Sequence, residues 1–123
     1  MKIKADEMHA AAEAAEELLK ALANRHRLMI LCQLSEKERS VGELADLLDL
    51  RDSTVSQHLA LLRKDGLVST RRDGQTVWYA IVSPAARRMI ETIYRIYCAP
   101  ADACTAASVR KPKARKTTGK APK

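Results

Sequence analysis

The residues best suited to chemistry are polar side chains on one short segment that begins near residue 53 of the 123-residue sequence. Val55, Leu59 and Leu62 are spaced i, i+4 and i+7, which predicts a helix with one buried face. The other face carries hydrogen-bonding groups first and cations last, namely Thr54, Ser56, Gln57, His58, Arg63 and Lys64. Gln and Ser can hydrogen-bond base edges, and cations can neutralise phosphates. The segment fits a recognition helix, and taken alone it also fits the solvated face of an ordinary helical bundle.

A shorter helix is predicted just before this segment. Ser40 and Glu43 have the spacing of a capping box. The apolar residues that follow fall on one stripe, formed by Val41, Leu44, Leu47 and Leu48. A polar turn over 49–52 joins the two helices, with Asp52 or Ser53 as the expected cap of the second. Two short helices joined in this way predict a helix-turn-helix.

A β-hairpin is predicted directly after the second helix. Gly66 ends that helix, 67–72 has strand composition, and Asp73-Gly74 is a strong two-residue turn before a returning strand over 76–81. A hairpin in this position is the wing of a winged helix. Its tip supplies three further predicted DNA contacts, Arg71, Arg72 and Gln75, where a phosphate or the minor groove would lie.

Flanking helices complete the predicted fold. A run of Ala, Glu and Leu over about 6–22 predicts a long first helix, and Asn24 caps a second that ends near Leu34. The polar link 36–39 leaves room for a short strand ending at Ser40, and Ser83-Pro84 begins a last helix that reaches about Cys98. The expected fold class is mainly α with a small β-hairpin, a winged helix-turn-helix of order α-α-α-α-β-β-α.

A winged helix can close its core without the two terminal helices. Their apolar faces predict a homodimer, whose recognition helices would lie about 34 Å apart, one turn of DNA. Arg25, His26 and Arg27 lie in the first turn of the second helix, where cations oppose the helix dipole. They could contact phosphate or form a surface cluster paired with acids, and both interpretations stay open.

The net charge of +7 is concentrated in the last 14 residues. These carry seven cations and no acid: Arg110, Lys111, Lys113, Arg115, Lys116, Lys120 and Lys123. Residues 1–109 hold 15 basic and 15 acidic residues, so DNA binding must be argued from local clusters rather than from overall charge. We expect a DNA-binding and dimerisation domain over 1–98 and a disordered basic tail over 99–123.

Several other classes of protein are disfavoured. The sequence has no signal peptide and no apolar run of membrane-spanning length, so we expect a cytoplasmic protein without a membrane partner. It has no Ser-His-Asp set, glycine-rich phosphate loop or carboxylate pair that would indicate an enzyme or a cofactor. Cys32, Cys98 and Cys104 are too widely spaced for a secreted disulfide framework or a CxxC zinc motif.

Two stretches of the chain resemble the ArsR/SmtB family of bacterial winged-helix repressors. LLKALANRHRLMILCQL is similar to the family's LKALANPxRLxIL segment, and the stretch from Ser40 to Ile81 resembles its recognition unit and wing almost end to end. The resemblance covers about residues 14–98. It implies a homodimer that represses transcription and leaves its double-stranded operator DNA when an inducer binds.

The metal sites of this family have no counterpart here. The cysteine-rich motif of the thiolate sensors would fall on 40–45, which has no cysteine, and 83–97 lacks the Asp and His of the last-helix zinc sensors. His9, His26 and His58 are not paired at metal-ligand spacing. No metal is therefore expected.

Cys32 and Cys98 resemble the thiol pair of the persulfide-sensing branch, the BigR/SqrR-like repressors. In that branch sulfane sulfur oxidises the two thiols to a bridge and DNA is released, which implies a reactive sulfur species as inducer. Cys104 matches nothing in that pattern. Two alternatives remain: Cys32 as a small hydrophobe on an apolar stripe, and a NolR-like repressor without cysteine sensing, which the wing STRRDGQT also resembles.

Overall fold

Five helices and three strands make up the described part of the chain, residues 1–98 of a computed structural model. In chain order the elements are α1 (Ala5–Leu22), α2 (Arg25–Glu36), β1 (Arg39–Ser40), α3 (Val41–Leu48), α4 (Asp52–Lys64), β2 (Val68–Asp73), β3 (Thr76–Ile81) and α5 (Pro84–Tyr97). This confirms the predicted fold class, and the short strand ending at Ser40, for which the sequence left room, is present as β1. The predicted tail, 99–123, and Cys104 lie outside the described residues.

Helix α2 lies at the centre of the packing and contacts α1, α3, α4, α5 and β3. Its Ile30 and Leu31 are fully buried, at 0% exposure, and belong to the core that the neighbouring helices share. The other large side chains with almost no exposure are Leu34, Leu44, Val55, Leu59, Leu62 and Ile90. Any displacement of α2 must therefore be accommodated by the recognition helix α4 and by α5, because close-packed cores do not deform freely.

The turn between α3 and α4 differs from its prediction in one respect. The capping box is present: the Glu43 amide donates to Ser40 Oγ over 3.2 Å, and the Ser40 amide donates to Glu43 Oε1 over 3.4 Å. Asp49 ends α3 in the left-handed region, at φ 57°. The expected capping of α4 by Asp52 or Ser53 is wrong, because Arg51 is the N-cap and no side chain caps it. Asp52 instead lies in the first turn, where a carboxylate interacts favourably with the helix dipole.

The three strands form an antiparallel sheet in the order β1-β3-β2. Asp73 pairs with Thr76, so the loop of the hairpin is Gly74-Gln75 rather than the predicted Asp73-Gly74. Gly74 takes φ 68°, a backbone conformation that favours glycine at the first position of a two-residue hairpin loop. The shift by one residue leaves Gln75 at the tip of the wing.

The remaining helix starts follow the sequence prediction. Asn24 Oδ1 accepts from the Arg27 amide over 3.1 Å at the start of α2. Ser83 Oγ accepts from the Ala86 amide over 3.1 Å, with Pro84 in the first turn of α5. Within residues 1–98, no helix combines the length and the apolarity needed to cross a membrane.

Candidate nucleic-acid interface and thiol pair

Helix α4 presents a polar edge to solvent. Ser56 and Gln57 are exposed and Thr54 is half-buried, while Val55 and Leu59 on the opposite side are fully buried. Arg63 and Lys64 are exposed in the last turn of the same helix. Hydrogen-bonding side chains near the start and cations near the end are thus accessible together along one element, as a major-groove helix requires.

His58 is turned toward α2 rather than lying free beside Gln57. Its ring meets the ring of His26 edge to face, with centroids 5.5 Å apart and planes at 71°. Its Nδ1 is buried without a hydrogen-bond partner. Burial lowers the pKa of His58 from its ordinary 6.5, and the nearby charges of Arg27 and His26 lower it further. The ring is therefore held neutral against α2, and base reading by His58 stays a prediction.

Arg27 has a role that neither of the two interpretations anticipated. Its Nε donates to the carbonyl oxygen of Ala21 over 2.8 Å, and a terminal nitrogen donates to that of Lys20 over 3.4 Å. The guanidinium thereby satisfies carbonyl groups at the end of α1, where a cation is favourable. Arg27 thereby joins the end of α1 to the start of α2.

The two arginines of the wing have different surroundings. Arg72 is exposed and makes no ion pair with any residue in the described range, and Gln75 is exposed at the tip. Arg71 instead donates from Nε to Glu38 Oε2 over 3.0 Å and from a terminal nitrogen to Glu38 Oε1 over 2.8 Å. These bonds lower the pKa of Glu38 and raise that of Arg71, so both groups stay charged. Sequence reasoning missed Glu38, because nothing in a polar link signals a partner 33 residues away.

Cys32 and Cys98 lie on two elements that pack against each other, α2 and the end of α5. Burial raises the pKa of the Cys32 thiol, and a negative charge on Cys98 raises it further. Cys32 is half-buried on α2, whereas Cys98 is exposed at the end of α5, and both are free thiols. The chain thus brings together two cysteines that are 66 positions apart, and Cys98 is the more accessible of the two.

A cavity of about 410 Å³ opens beside Cys32, between α2 and α5. Its walls combine apolar and charged side chains: Cys32, Gln33, Ser35, Glu36, Ile90, Glu91, Tyr94 and Arg95. Tyr94 joins the cavity to Cys98, since its carbonyl accepts from the Cys98 amide over 2.7 Å. In residues 1–98, no three His, Cys, Asp or Glu side chains come together in a way that could hold a metal ion.

A central helix packed on a helix-turn-helix, followed by a hairpin, defines a winged-helix DNA-binding regulator. The model of the family described as "Bacterial regulatory protein, arsR family" matches residues 24–70. The transcriptional activator HlyU of Vibrio cholerae is 52% identical over 75% of this chain and 85% of its own length. The chain therefore belongs to the arsR family of bacterial transcription regulators, whose members are regulators rather than enzymes.

Other relatives are named as repressors or nodulation proteins. The biofilm growth-associated repressor of Agrobacterium fabrum is 48% identical over 68% of this chain and 71% of its own length. The nodulation protein NolR of Rhizobium meliloti is 44% identical over 79% of this chain and 80% of its own length. The sign of regulation thus differs among proteins that are similar to this chain.

Two solved structures share the fold. Reduced HlyU from Vibrio cholerae superposes with a TM-score of 0.72 at 52% identity, covering 75% of this chain and 97% of its own. The homodimeric winged helix-turn-helix domain Mb0332 from Mycobacterium bovis gives a TM-score of 0.66 at 30% identity, covering 87% of this chain and 95% of its own.

Proposed function

We propose that the protein is a homodimeric transcriptional repressor that releases its operator DNA when Cys32 and Cys98 are oxidised or bridged by sulfane sulfur. The observation that carries this proposal is the placement of Cys32 on α2 and of Cys98 at the end of α5, two helices that pack against each other, with a cavity beside Cys32. The likeness to reduced HlyU and to a biofilm growth-associated repressor supports the same assignment.

The DNA-binding surface in this proposal comprises the polar edge of α4 and the tip of the wing. Thr54, Ser56 and Gln57 would read bases, and Arg63, Lys64, Arg72 and Gln75 would contact the backbone or the minor groove. Their exposure supports this division. His58 and Arg71 were predicted on the same surface, but both side chains are held by neighbours, which favours supporting roles for them.

Dimerisation through α1 and α5 is supported by apolar side chains that these helices leave in water. Leu19 is 52% exposed on α1, and Tyr94 and Ile96 are 52% and 48% exposed on α5. Apolar side chains clustered on terminal helices are typical of a protein interface. The homodimeric state of Mb0332 supports the same arrangement.

The proposed reaction consumes two thiols and one persulfide. The accessible Cys98 thiolate attacks the outer sulfur of a low-molecular-weight persulfide RSSH, giving a persulfide on Cys98 and releasing the thiol RSH. Cys32 then attacks Cys98 Sγ, forming the disulfide and releasing hydrogen sulfide, so that two thiols lose two electrons to the sulfane sulfur. Because the pKa of Cys32 is raised, its attack should speed up with increasing pH.

A bridge would act on DNA binding through α2. It would tether α2 to α5, and α2 packs directly on the recognition helix α4. An inducer shifts occupancy only by its different effect on the two states, which is typically about 1–3 kcal/mol, or roughly fivefold to 150-fold in affinity.

The test compares the wild type with Cys32→Ser, Cys98→Ser and Cys104→Ser after treatment with glutathione persulfide. Intact mass and binding to a duplex that the reduced wild type enriches from a random-sequence library are both measured. We expect the wild type and Cys104→Ser to lose DNA affinity and the mass of two hydrogen atoms, while the other two variants retain affinity. A Cys98→Ser variant that releases DNA as the wild type does would end the sensor assignment.

One observation favours the alternative, a NolR-like regulator without cysteine sensing. Cys32 packs against the core of the domain, as a small hydrophobic residue would. In that case all four proteins respond alike to persulfide while still binding the enriched duplex. A reporter fused downstream of that duplex distinguishes repression from activation.

A further inference from the structure

The Arg71 side chain crosses the whole sheet. Arg71 lies on β2 and Glu38 lies just before β1, and these two strands are separated by β3. Arg71, Trp78 and Ser40 occupy one row across the three strands. The guanidinium lies 6.0 Å from the centre of the Trp78 ring and reaches Glu38 with two hydrogen bonds of 3.0 and 2.8 Å. A side chain held in this way points across the sheet toward Glu38, and its other terminal nitrogen lies 3.9 Å from the carboxylate of Asp73 at the end of β2.

Glu38 is in turn fixed to the end of α2. Its neighbour Arg39 donates to the carbonyl oxygen of Gln33 over 3.2 Å and to Glu36 Oε1 over 2.7 Å. Arg87 of α5 donates to the carbonyl oxygen of Ser35 over 3.1 Å. The last turn of α2 is thus hydrogen-bonded to α5. The chain that follows this turn leads directly to Glu38, which bonds Arg71 of the wing.

We infer that Glu38 and Arg71 are positioning residues that set the orientation of the wing on DNA, so that Arg72 and Gln75 meet the duplex. The inference rests on the proposed binding of DNA but not on cysteine sensing. The pair is partly exposed, at 53% for the Arg71 side chain and 39% for that of Glu38, and it therefore adds little to folding stability. We expect the pair to affect DNA binding instead, because it sets the position of the wing relative to α2.

Simple electrostatics makes the opposite prediction for Glu38. Replacing an acid near DNA by a neutral residue should strengthen binding, because one repulsive charge is removed. If Glu38 holds the wing in place, Glu38→Gln weakens binding although the protein becomes more positive. Asp73→Asn is the matched control, because it removes the same charge and only the longer, 3.9 Å ion pair of Arg71, while both Glu38–Arg71 hydrogen bonds can still form.

The DNA experiment uses the duplex enriched by the wild type, with Kd measured at several salt concentrations. We expect Glu38→Gln and Arg71→Glu each to raise Kd, the former by about twofold to fivefold. Asp73→Asn should leave Kd equal or lower. The charge-swapped double variant, Glu38→Arg with Arg71→Glu, should recover most of the affinity lost by Arg71→Glu, since the pair is restored in reverse. Tighter binding by Glu38→Gln, or no recovery in the double variant, overturns the inference.

A second readout needs no DNA and separates this inference from the proposed function. Trp78 is the single tryptophan of the chain, so its fluorescence reports the row of residues beneath Arg71. Glu38→Gln should make Trp78 more accessible to acrylamide, and Asp73→Asn should not. Equal quenching in Glu38→Gln and wild type overturns the inference even where DNA binding holds. Failure of the wild type to enrich any duplex overturns the proposed function and, with it, the part of the inference that concerns DNA, whereas a loss of the response to persulfide overturns only the sensor assignment.

Discussion

The rings of His26 and His58 meet edge to face across the contact between α2 and α4, with centroids 5.5 Å apart. His58 belongs to the recognition helix, yet its Nδ1 is buried without a partner. Arg27 adds a positive charge from the same side. A second proton on His58 would therefore place a cation next to other cations in a site with poor solvation.

The first prediction concerns pH and folding. The pKa of His58 is lowered in the folded state, so below its ordinary value of 6.5 the unfolded chain binds more protons than the folded one. The contribution of His58 to stability is thus unaffected above about pH 6.5 and declines as the pH falls through the folded-state pKa. Thermal unfolding between about pH 7.5 and pH 5.5 should show a larger drop in Tm for the wild type than for His58→Gln.

His9 provides the control for that measurement. It lies exposed on α1, away from the α2–α4 contact. His9→Gln should retain the pH dependence of the wild type. An identical Tm profile for His58→Gln and wild type would contradict the assignment.

The second prediction concerns the buried side of α4. Leu59 is fully buried, whereas Leu61, two residues further along the same helix, is 45% exposed. Leu59→Ala should lower the free energy of unfolding by about 2–5 kcal/mol, because it leaves a cavity in the core. Leu61→Ala should stay within about 0.5 kcal/mol of the wild type in the same urea titration. Similar losses in both variants would mean that the helix is rotated from the described position.

The third prediction concerns the capping of α3. Ser40 Oγ accepts the Glu43 amide, and Ser40→Ala should therefore lower stability by about 1 kcal/mol. Ser53 has no capping bond at the start of α4, so Ser53→Ala should change the free energy of unfolding by less than about 0.5 kcal/mol. The urea midpoints of the two variants decide between this assignment and the one expected from sequence.

Sequence reasoning succeeded where the signal is local and periodic. The capping box at Ser40, the cap and proline at Ser83 and Pro84, and the buried stripe of α4 all depend on residues within one or two turns of each other. It failed on the cap of α4 and on the hairpin loop, where several adjacent polar residues could each do the same task. The hairpin loop is Gly74-Gln75, one position later than expected.

The site was harder to predict, because its contacts join distant parts of the chain. His58 and Arg71 are residue types that often contact DNA. In the structure His58 contacts the ring of His26, and Arg71 donates to Glu38. Nothing in the sequence indicates either partner. The pairing of Cys32 with Cys98 is a prediction from family resemblance alone, since spacing says nothing about two residues on different helices. The exposure of most of these polar side chains thus follows from the sequence pattern, while the partners of each depend on tertiary packing.

The fourth prediction concerns base reading. Gln57 is exposed on the polar edge of α4, and a good contact to a base edge contributes about 1–3 kcal/mol of discrimination. Gln57→Ala should lower the ratio of affinities for enriched and scrambled duplex by roughly tenfold, with little change on scrambled DNA. Equal losses on both duplexes would move Gln57 to the backbone-contacting group.

The fifth prediction separates phosphate contact from base contact at the wing. Arg72 is exposed and makes no ion pair within the described residues, so its charge is available to DNA. Arg72→Ala should weaken binding to enriched and scrambled duplexes about equally. It should also reduce the slope of log K against log salt by about 1, because one fewer counterion is released. Lys20→Ala, which removes an exposed cation from α1, should leave the slope unchanged. A slope that Arg72→Ala does not alter would mean that the tip of the wing does not reach a phosphate.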